Sequence, residues 1–417
     1  MTFLRGMLCG ILWPAGVVWA GGGETSGSLL ERWWHGQHLT GGWFGVREAV
    51  ADRGVEARGR WRGIYFGILD SENGAGNAFS QELSFWLNLD AVKLSGREGL
   101  RGWTGFVEGR WRDPGANANP NTLVEADRLF NPSRYTGGAG WRLMNFGLRY
   151  TAPEFLGVKD GLTATGGWLQ PQKEFITQPP GRLFANNAMA SAEGLGGNIP
   201  YGSTFSTWGG VLEVKPADRA YVKGGLYMSY SNPTDPANNG LMFRGRPQDN
   251  NGLFFLGETG VRPELGSARL PGHYAFGGYF YGEDNEDFGG NKYGFYGQAD
   301  QMLWREEGEQ GLRAFSLFYF APYEDNDFSF YTQAGLVYRG LVPRRDRDQL
   351  MAGVATGQYG ATEAPATGQS TIVEAGYRVQ LNDWAFVQPF AQFISRPDGT
   401  PAVADAAILG MFLGVDF

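Results

Sequence analysis

Arginines recur at every second position in Arg58, Arg60 and Arg62, and the same spacing returns with an acid in Glu108, Arg110 and Arg112. Side chains two residues apart share one face of an extended strand. Each run therefore gathers its charges on one side, with Trp61 and Tyr65 opposite the first and Trp103, Val107 and Trp111 opposite the second. A third row, Glu82, Ser84, Trp86, Asn88 and Asp90, is backed by Leu83, Phe85, Leu87 and Leu89. A fourth, Glu374, Arg378 and Gln380, is backed by Val373, Ala375, Tyr377, Val379 and Leu381. The chemistry available to such rows is recognition rather than bond breaking. A guanidinium is a rigid fork of donors that pairs with carboxylates and bridges adjacent hydroxyls, and aromatic faces offer apolar contact beside it. Polyhydroxylated small solutes suit that mixture. Glu108, Arg110 and Arg112 are the leading lining candidates, with Arg58, Arg60, Arg62, Glu82 and Trp86 as neighbours. Arginine outnumbers lysine 29 to 6, but a GC-rich coding sequence raises arginine everywhere, so position in the strands carries more weight than number.

Other chemistries find little support. His35 and His38 precede the strands, and His273 lies beside Tyr274 with no serine and acid at triad-like positions, although triads assemble in space. Asp284 and Glu286 are paired carboxylates in a loop, which is not a glycosidase cleft. The clusters Glu283–Asp287 and Glu324–Asp327 read as solvated loop tips, with Ca²⁺ or divalent bridging to lipopolysaccharide as the alternative. No metal site or cofactor is expected. The mixed-charge turn Pro343–Asp348 and a net charge of -8 speak against nucleic acid.

The elements that must hold these rows are strands. From Val55 onward the chain divides into sixteen alternating segments, running from Ala57–Gly67 through Ser80–Ala91 and Leu100–Arg112 to Trp384–Ser395 and Ala406–Phe417. Each is about as long as a tilted bilayer crossing requires. Their connections alternate between long and short: Asp113–Ala139 and Pro171–Ser203 are long, whereas Val92–Gly99, Ala152–Lys159, Pro216–Asp218 and Asn382–Asp383 are short. A barrel built of hairpins sorts its connections onto opposite sides in this way. The final segment places Ala407, Leu409, Met411, Leu413, Val415 and Phe417 on one face and ends on an aromatic residue, as in an outer-membrane barrel; an ordinary strand of a soluble sandwich could alternate too. With 66 glycines and no apolar run of about 20 residues past the N-terminus, any membrane crossing must be made by strands.

The organisation follows. Residues 1–20 read as a signal peptide: Arg5, an apolar stretch from Gly6 to Trp19, and Val18-Trp-Ala20 as a cleavage site. The only cysteine, Cys9, leaves with it. Residues 21–54 form a periplasmic lead containing a short helix, in which Trp43, Val46 and Val50 share a face and Gly54 ends the helix in the left-handed region. Residues 55–417 form an all-β transmembrane antiparallel barrel, which puts the chain in the outer membrane among lipid and lipopolysaccharide.

The stretch His38-Leu-Thr-Gly-Gly-Trp-Phe-Gly-Val-Arg-Glu-Ala-Val-Ala-Asp-Arg-Gly54 resembles the opening motif of the carbohydrate-selective outer-membrane porins, the OprB family. Asn88–Gly96, Leu341-Val-Pro343, Phe390-Ala-Gln-Phe-Ile394 and Asp405-Ala-Ala-Ile-Leu-Gly410 extend the resemblance over nearly the whole exported chain, with a departure at Phe44 where a small residue is usual. The resemblance implies a sixteen-stranded porin for glucose and related small sugars, with loops folded inward, passing solute by diffusion and needing no ATP or redox cofactor. Asp113–Ala139 and Pro171–Ser203 are the candidate inward loops, being long enough to be functional or disordered. The alternatives are a general or anion-preferring porin without sugar selectivity and a barrel-embedded hydrolase. Homotrimer and monomer both remain open.

Overall fold

The computed structural model describes residues 29–115, 119–125, 130–135, 139–191, 198, 205–230, 250–281, 292–324, 326–360, 368–397 and 399–417. The proposed signal peptide and the cluster Glu283–Asp287 lie outside the described residues. Helix Leu29–Trp34 forms part of a separate unit ending at His35 and adds a helix to the one that the sequence predicts in the lead.

The strands are β1 (Val55–Asp70), β2 (Gly76–Asp90), β3 (Trp103–Asp113), β4 (Gly140–Phe155), β5 (Val158–Leu169), β6 (Thr207–Ala217), β7 (Ala220–Tyr230), β8 (Asn250–Val261), the two-residue β9 (Glu264–Leu265), β10 (Leu270–Tyr281), β11 (Lys292–Arg305), β12 (Gly311–Phe320), β13 (Phe328–Arg339), β14 (Gln349–Tyr359), β15 (Gln369–Gln380), β16 (Ala385–Ser395) and β17 (Ala406–Asp416). Every long strand pairs antiparallel with its sequence neighbour, and β8 pairs with β10 past the short β9. β1 closes the sheet by pairing with both β2 and β17, Arg60 standing opposite Ser84 on one side and Asp416 on the other. The result is a closed sixteen-stranded antiparallel barrel, and closure leaves no sheet edge unpaired.

Alternation decides what each wall shows. Phe85, Leu148, Leu212, Phe276, Phe318, Val373 and Leu409 are exposed on the outer face. Phe66, Glu82, Glu108, Tyr296, Glu374, Ile408 and Phe412 are buried on the inner face. The rule is interrupted in β5. Gly167 has φ 148°, and a Cβ there would sit 2.2 Å from the Phe146 carbonyl oxygen, so the chain kinks. Trp168 and Leu169 are consequently both buried, and Trp168 Nε1 donates to the Leu143 carbonyl at 3.2 Å. That kink interrupts the two-residue alternation at Trp168.

The connections depart from expectation in two places. Ala91–Ser95 is a helix rather than a tight turn, because Asp90 Oδ1 accepts from the Lys93 amide at 2.9 Å and Gly96 at φ 69° closes the far end. β1 and β2 extend until only residues 71–75 join them, the turn being closed by the Gly74 amide on the Ser71 carbonyl at 2.9 Å. Before the barrel, helix Val46–Asp52 ends at Gly54 with φ 92°. The lead is tied to the last strand by the Leu39 amide donating to the Asp416 carbonyl at 2.9 Å. Burial lowers the His38 pKa below the ordinary imidazole value, with Arg47 and Arg58 adding to the effect.

Candidate functional site in the barrel lumen

Register builds the first wall. β2 lies between β1 and β3, so Arg62, Glu82 and Arg112 stand abreast, followed by Arg60, Ser84 and Arg110, then Arg58, Trp86 and Glu108. Glu82 is 2 % exposed and collects three guanidiniums: Arg112 Nε donates at 2.7 Å, with Arg110 at 3.4 Å and Arg60 at 3.6 Å. Ser84 Oγ adds a bond to it at 2.9 Å. Glu108 takes Arg110 at 3.0 Å, the Asn145 amide group at 2.8 Å and the Lys173 ammonium. Buried carboxylates persist only when paired and hydrogen-bonded in this manner. Trp86 carries the Arg60 guanidinium 4.8 Å from its ring centroid, so the ring supports an arginine.

The second wall comes from two long connections that fold into the barrel. In the first, helix Pro120–Val124 starts at the Asn119 cap, and Phe130, Ser133 and Tyr135 are buried beyond it. Ser80 and Ser133 share a hydrogen bond at 2.6 Å, and Gln392 donates to the Pro132 carbonyl at 3.1 Å. In the second, helix Pro171–Glu174, turn Gly181–Leu183 and helix Asn187–Ser191 succeed one another. The two connections are joined by the Arg134 amide to the Ala185 carbonyl and the Asn187 amide to the Asn131 carbonyl, each 3.0 Å.

Side chains from distant strands hold that second connection. Glu374 on β15 accepts the Ala185 and Asn186 amides at 2.8 Å each and Gln392 at 3.0 Å. Glu258 on β8 accepts the Ile176 amide at 3.3 Å while pairing with Lys223 at 2.7 Å and with the Tyr221 and Tyr296 hydroxyls. Arg378 and Gln388 donate to the Leu183 carbonyl at 3.4 and 2.9 Å, and Arg134 donates to the Arg182 and Phe184 carbonyls at 2.7 and 3.3 Å.

Between the walls lies a cavity of about 440 Å³, a size typical of small-molecule sites. All the candidate side chains except Arg58 line it: Arg60, Arg62, Glu82, Trp86, Glu108, Arg110 and Arg112. Arg58 sits lower on the same face, 62 % exposed and paired with Glu56. Arg134, Tyr135, Lys173, Arg182 and Phe386 also line the cavity and are not marked by the alternation, which gives Arg378 an inward face and nothing more. The long connections carry no periodicity that would expose such residues. The lining is strongly basic, since Glu82 and Glu108 are its only carboxylates among the described residues.

Elsewhere the inner face carries His273, whose Nε2 shares a 2.8 Å hydrogen bond with the Tyr221 hydroxyl and whose Nδ1 is 3.8 Å from Asp300. No group of three or more metal-ligating side chains occurs among the described residues.

A family model described as "Carbohydrate-selective porin, OprB family" matches residues 75–417. Porin B of Pseudomonas aeruginosa is 23 % identical, covering 89 % of this chain and 90 % of its own. The high-pH structure of Pseudomonas putida OprB superposes with a TM-score of 0.80 at 21 % identity, over 92 % of this chain and 99 % of that one. The low-pH structure of the same protein gives 0.59 at 18 % identity with the same coverage.

Proposed function

Because this chain belongs to the carbohydrate-selective porin family OprB, and is therefore a transport channel of the outer membrane rather than an enzyme, we propose that its solutes are monosaccharides such as glucose, passing between the two walls described above. The observation that carries the reading is the arginine ladder. Glu82, Glu108 and the Trp86 ring hold Arg60, Arg110 and Arg112 in place, and all three guanidiniums line the passage. Sugar hydroxyls are acceptors for such forks, and neighbouring hydroxyls match two parallel donors. The carboxylates are already engaged, so each solute contact is a modest hydrogen bond. Modest contacts suit a pore, because a solute held tightly also leaves slowly.

The inward connections restrict the route and are part of the proposed sieve. A lumen rich in arginine also favours a second reading, a general anion-preferring pore. Liposome swelling with the reconstituted protein separates the two. Glucose should enter faster than an amino acid of similar size; equal entry of glucose, amino acid and salt, or entry of the salt with glucose excluded, would remove the sugar assignment.

A further inference from the structure

The basic side chains of the cavity are not equally neutralised. Glu82 and Glu108 serve Arg60, Arg110, Arg112 and Lys173, and Asp416 serves Arg62 at 2.8 Å. Arg134, Arg182 and Arg378 have no carboxylate within 4.0 Å among the described residues. All three meet at the turn Gly181–Leu183. Arg134 and Arg378 hold its carbonyls, and Arg182 is exposed within the lumen on the turn itself. Arg378 further lies 4.0 Å from the Phe386 ring centroid and donates to Gln388 at 2.8 Å, which fixes its plane.

We propose that Arg134, Arg182 and Arg378 form an anion subsite in the passage, and that the preferred solutes are carbohydrates bearing a carboxylate. The inference rests on the carbohydrate reading above and names the solute class within it. A cluster of one sign in a cleft with low-dielectric walls concentrates counter-ions and raises their entry rate. Neutral carbonyls and an aromatic ring orient the guanidiniums without cancelling their charge, so the potential acts on the solute. A planar two-oxygen acceptor fits a guanidinium fork. A phosphate dianion would be attracted about twice as strongly by the same charges and would leave more slowly, which a conducting pore disfavours.

The test is tracer uptake into liposomes carrying the full-length protein at low salt, comparing glucose, glucuronate, glucose 6-phosphate and hexanoate at equal concentration. Glucuronate should enter at least about tenfold faster than glucose. Arg182→Gln should lower that ratio severalfold, Arg182→Lys should restore most of it, and Arg58→Gln, which removes the same charge outside the cavity, should leave it unchanged. Folding of each variant is checked by heat-modifiable electrophoretic mobility. Glucuronate entering no faster than glucose, with glucose still entering, overturns the subsite and leaves the carbohydrate reading standing. A folded Arg182→Gln channel with the wild-type ratio overturns the assignment to this turn. Glucose 6-phosphate ahead of glucuronate overturns the carboxylate preference. Hexanoate entering as fast as glucuronate while glucose is excluded overturns both readings together.

Discussion

Glu82 on β2 and Glu374 on β15 are both buried on the inner face, 2 % and 0 % exposed, yet they are compensated by opposite means. Glu82 is surrounded by the charged groups Arg60, Arg110 and Arg112. Glu374 accepts from neutral donors, two backbone amides of the inward connection and one glutamine side chain. The first arrangement leaves oriented guanidiniums beside the passage. The second binds no charged side chain among the described residues and secures a segment of chain 189 positions away. On the proposed function, Glu82 tunes the charge of the strand wall, and Glu374 sets how far the connection bearing the proposed anion subsite narrows the passage.

The largest effect should come from the anchor. Glu374→Ala orphans the amides of Ala185 and Asn186, at about 1–3 kcal/mol for each buried donor left unsatisfied. The connection should leave the wall, raising single-channel conductance and lowering the unfolding temperature; an unaltered conductance would show that the anchor does not control the bore. Next comes Glu82→Gln, which strips the shared counter-charge from three guanidiniums. Breaking a buried pair costs about 3–5 kcal/mol, so stability should fall, with relaxation of the wet lumen reducing the loss. Reversal potentials should shift toward anions while conductance changes less than in Glu374→Ala. If Glu82→Gln widened the pore as much as Glu374→Ala, the division of labour between the walls would be lost.

Arg110→Ala should act more narrowly, altering solute flux without unfolding the barrel, because it removes one charge-assisted contact from each of two carboxylates, about 1.5–3 kcal/mol per bond. Unchanged flux in a folded variant would remove Arg110 from the lining. The smallest effect lies outside both walls, in the turn before β14. Burial alone would raise the Asp348 pKa, but Arg345 at 2.8 and 2.9 Å, the Gln380 amide and the Tyr377 hydroxyl outweigh it and hold the carboxyl below the usual range. A depressed folded-state pKa contributes stability that is present above the unfolded value of about 3.9 and is lost as pH falls through the folded value. The difference in unfolding temperature between wild type and Asp348→Asn should therefore be constant near neutrality and shrink below about pH 4. A gap that persisted undiminished at pH 3 would assign the stabilisation to shape rather than charge.

The two walls also differ in how far they could be read beforehand. The Arg60–Glu82–Arg110 wall is made of strands, whose two-residue period is written directly in the order of charged and apolar residues. Alternation reports a face but not a depth, which is why Arg58 shares the face of Arg60 and Arg62 yet lies outside the cavity. At Trp168 even the face is lost, because the glycine before it takes a conformation that interrupts the period. The opposite wall contains Arg134, Lys173 and Arg182, from connections whose length flagged them but whose residues follow no repeat.

The amino-acid sequence by itself determined the strands, their inner and outer faces, their sequential antiparallel pairing and the rows of arginine and glutamate, since each depends on neighbours along the chain or on the next hairpin. Only the tertiary structure decided that the two long connections meet inside the barrel, that Arg134, Arg182 and Arg378 converge on one turn, and that Glu258 and Glu374 hold that segment from separate strands. Those contacts join residues up to 195 positions apart. They form because buried amides and carboxylates, once closure of the sheet brings them together, must satisfy one another where bulk water cannot reach them.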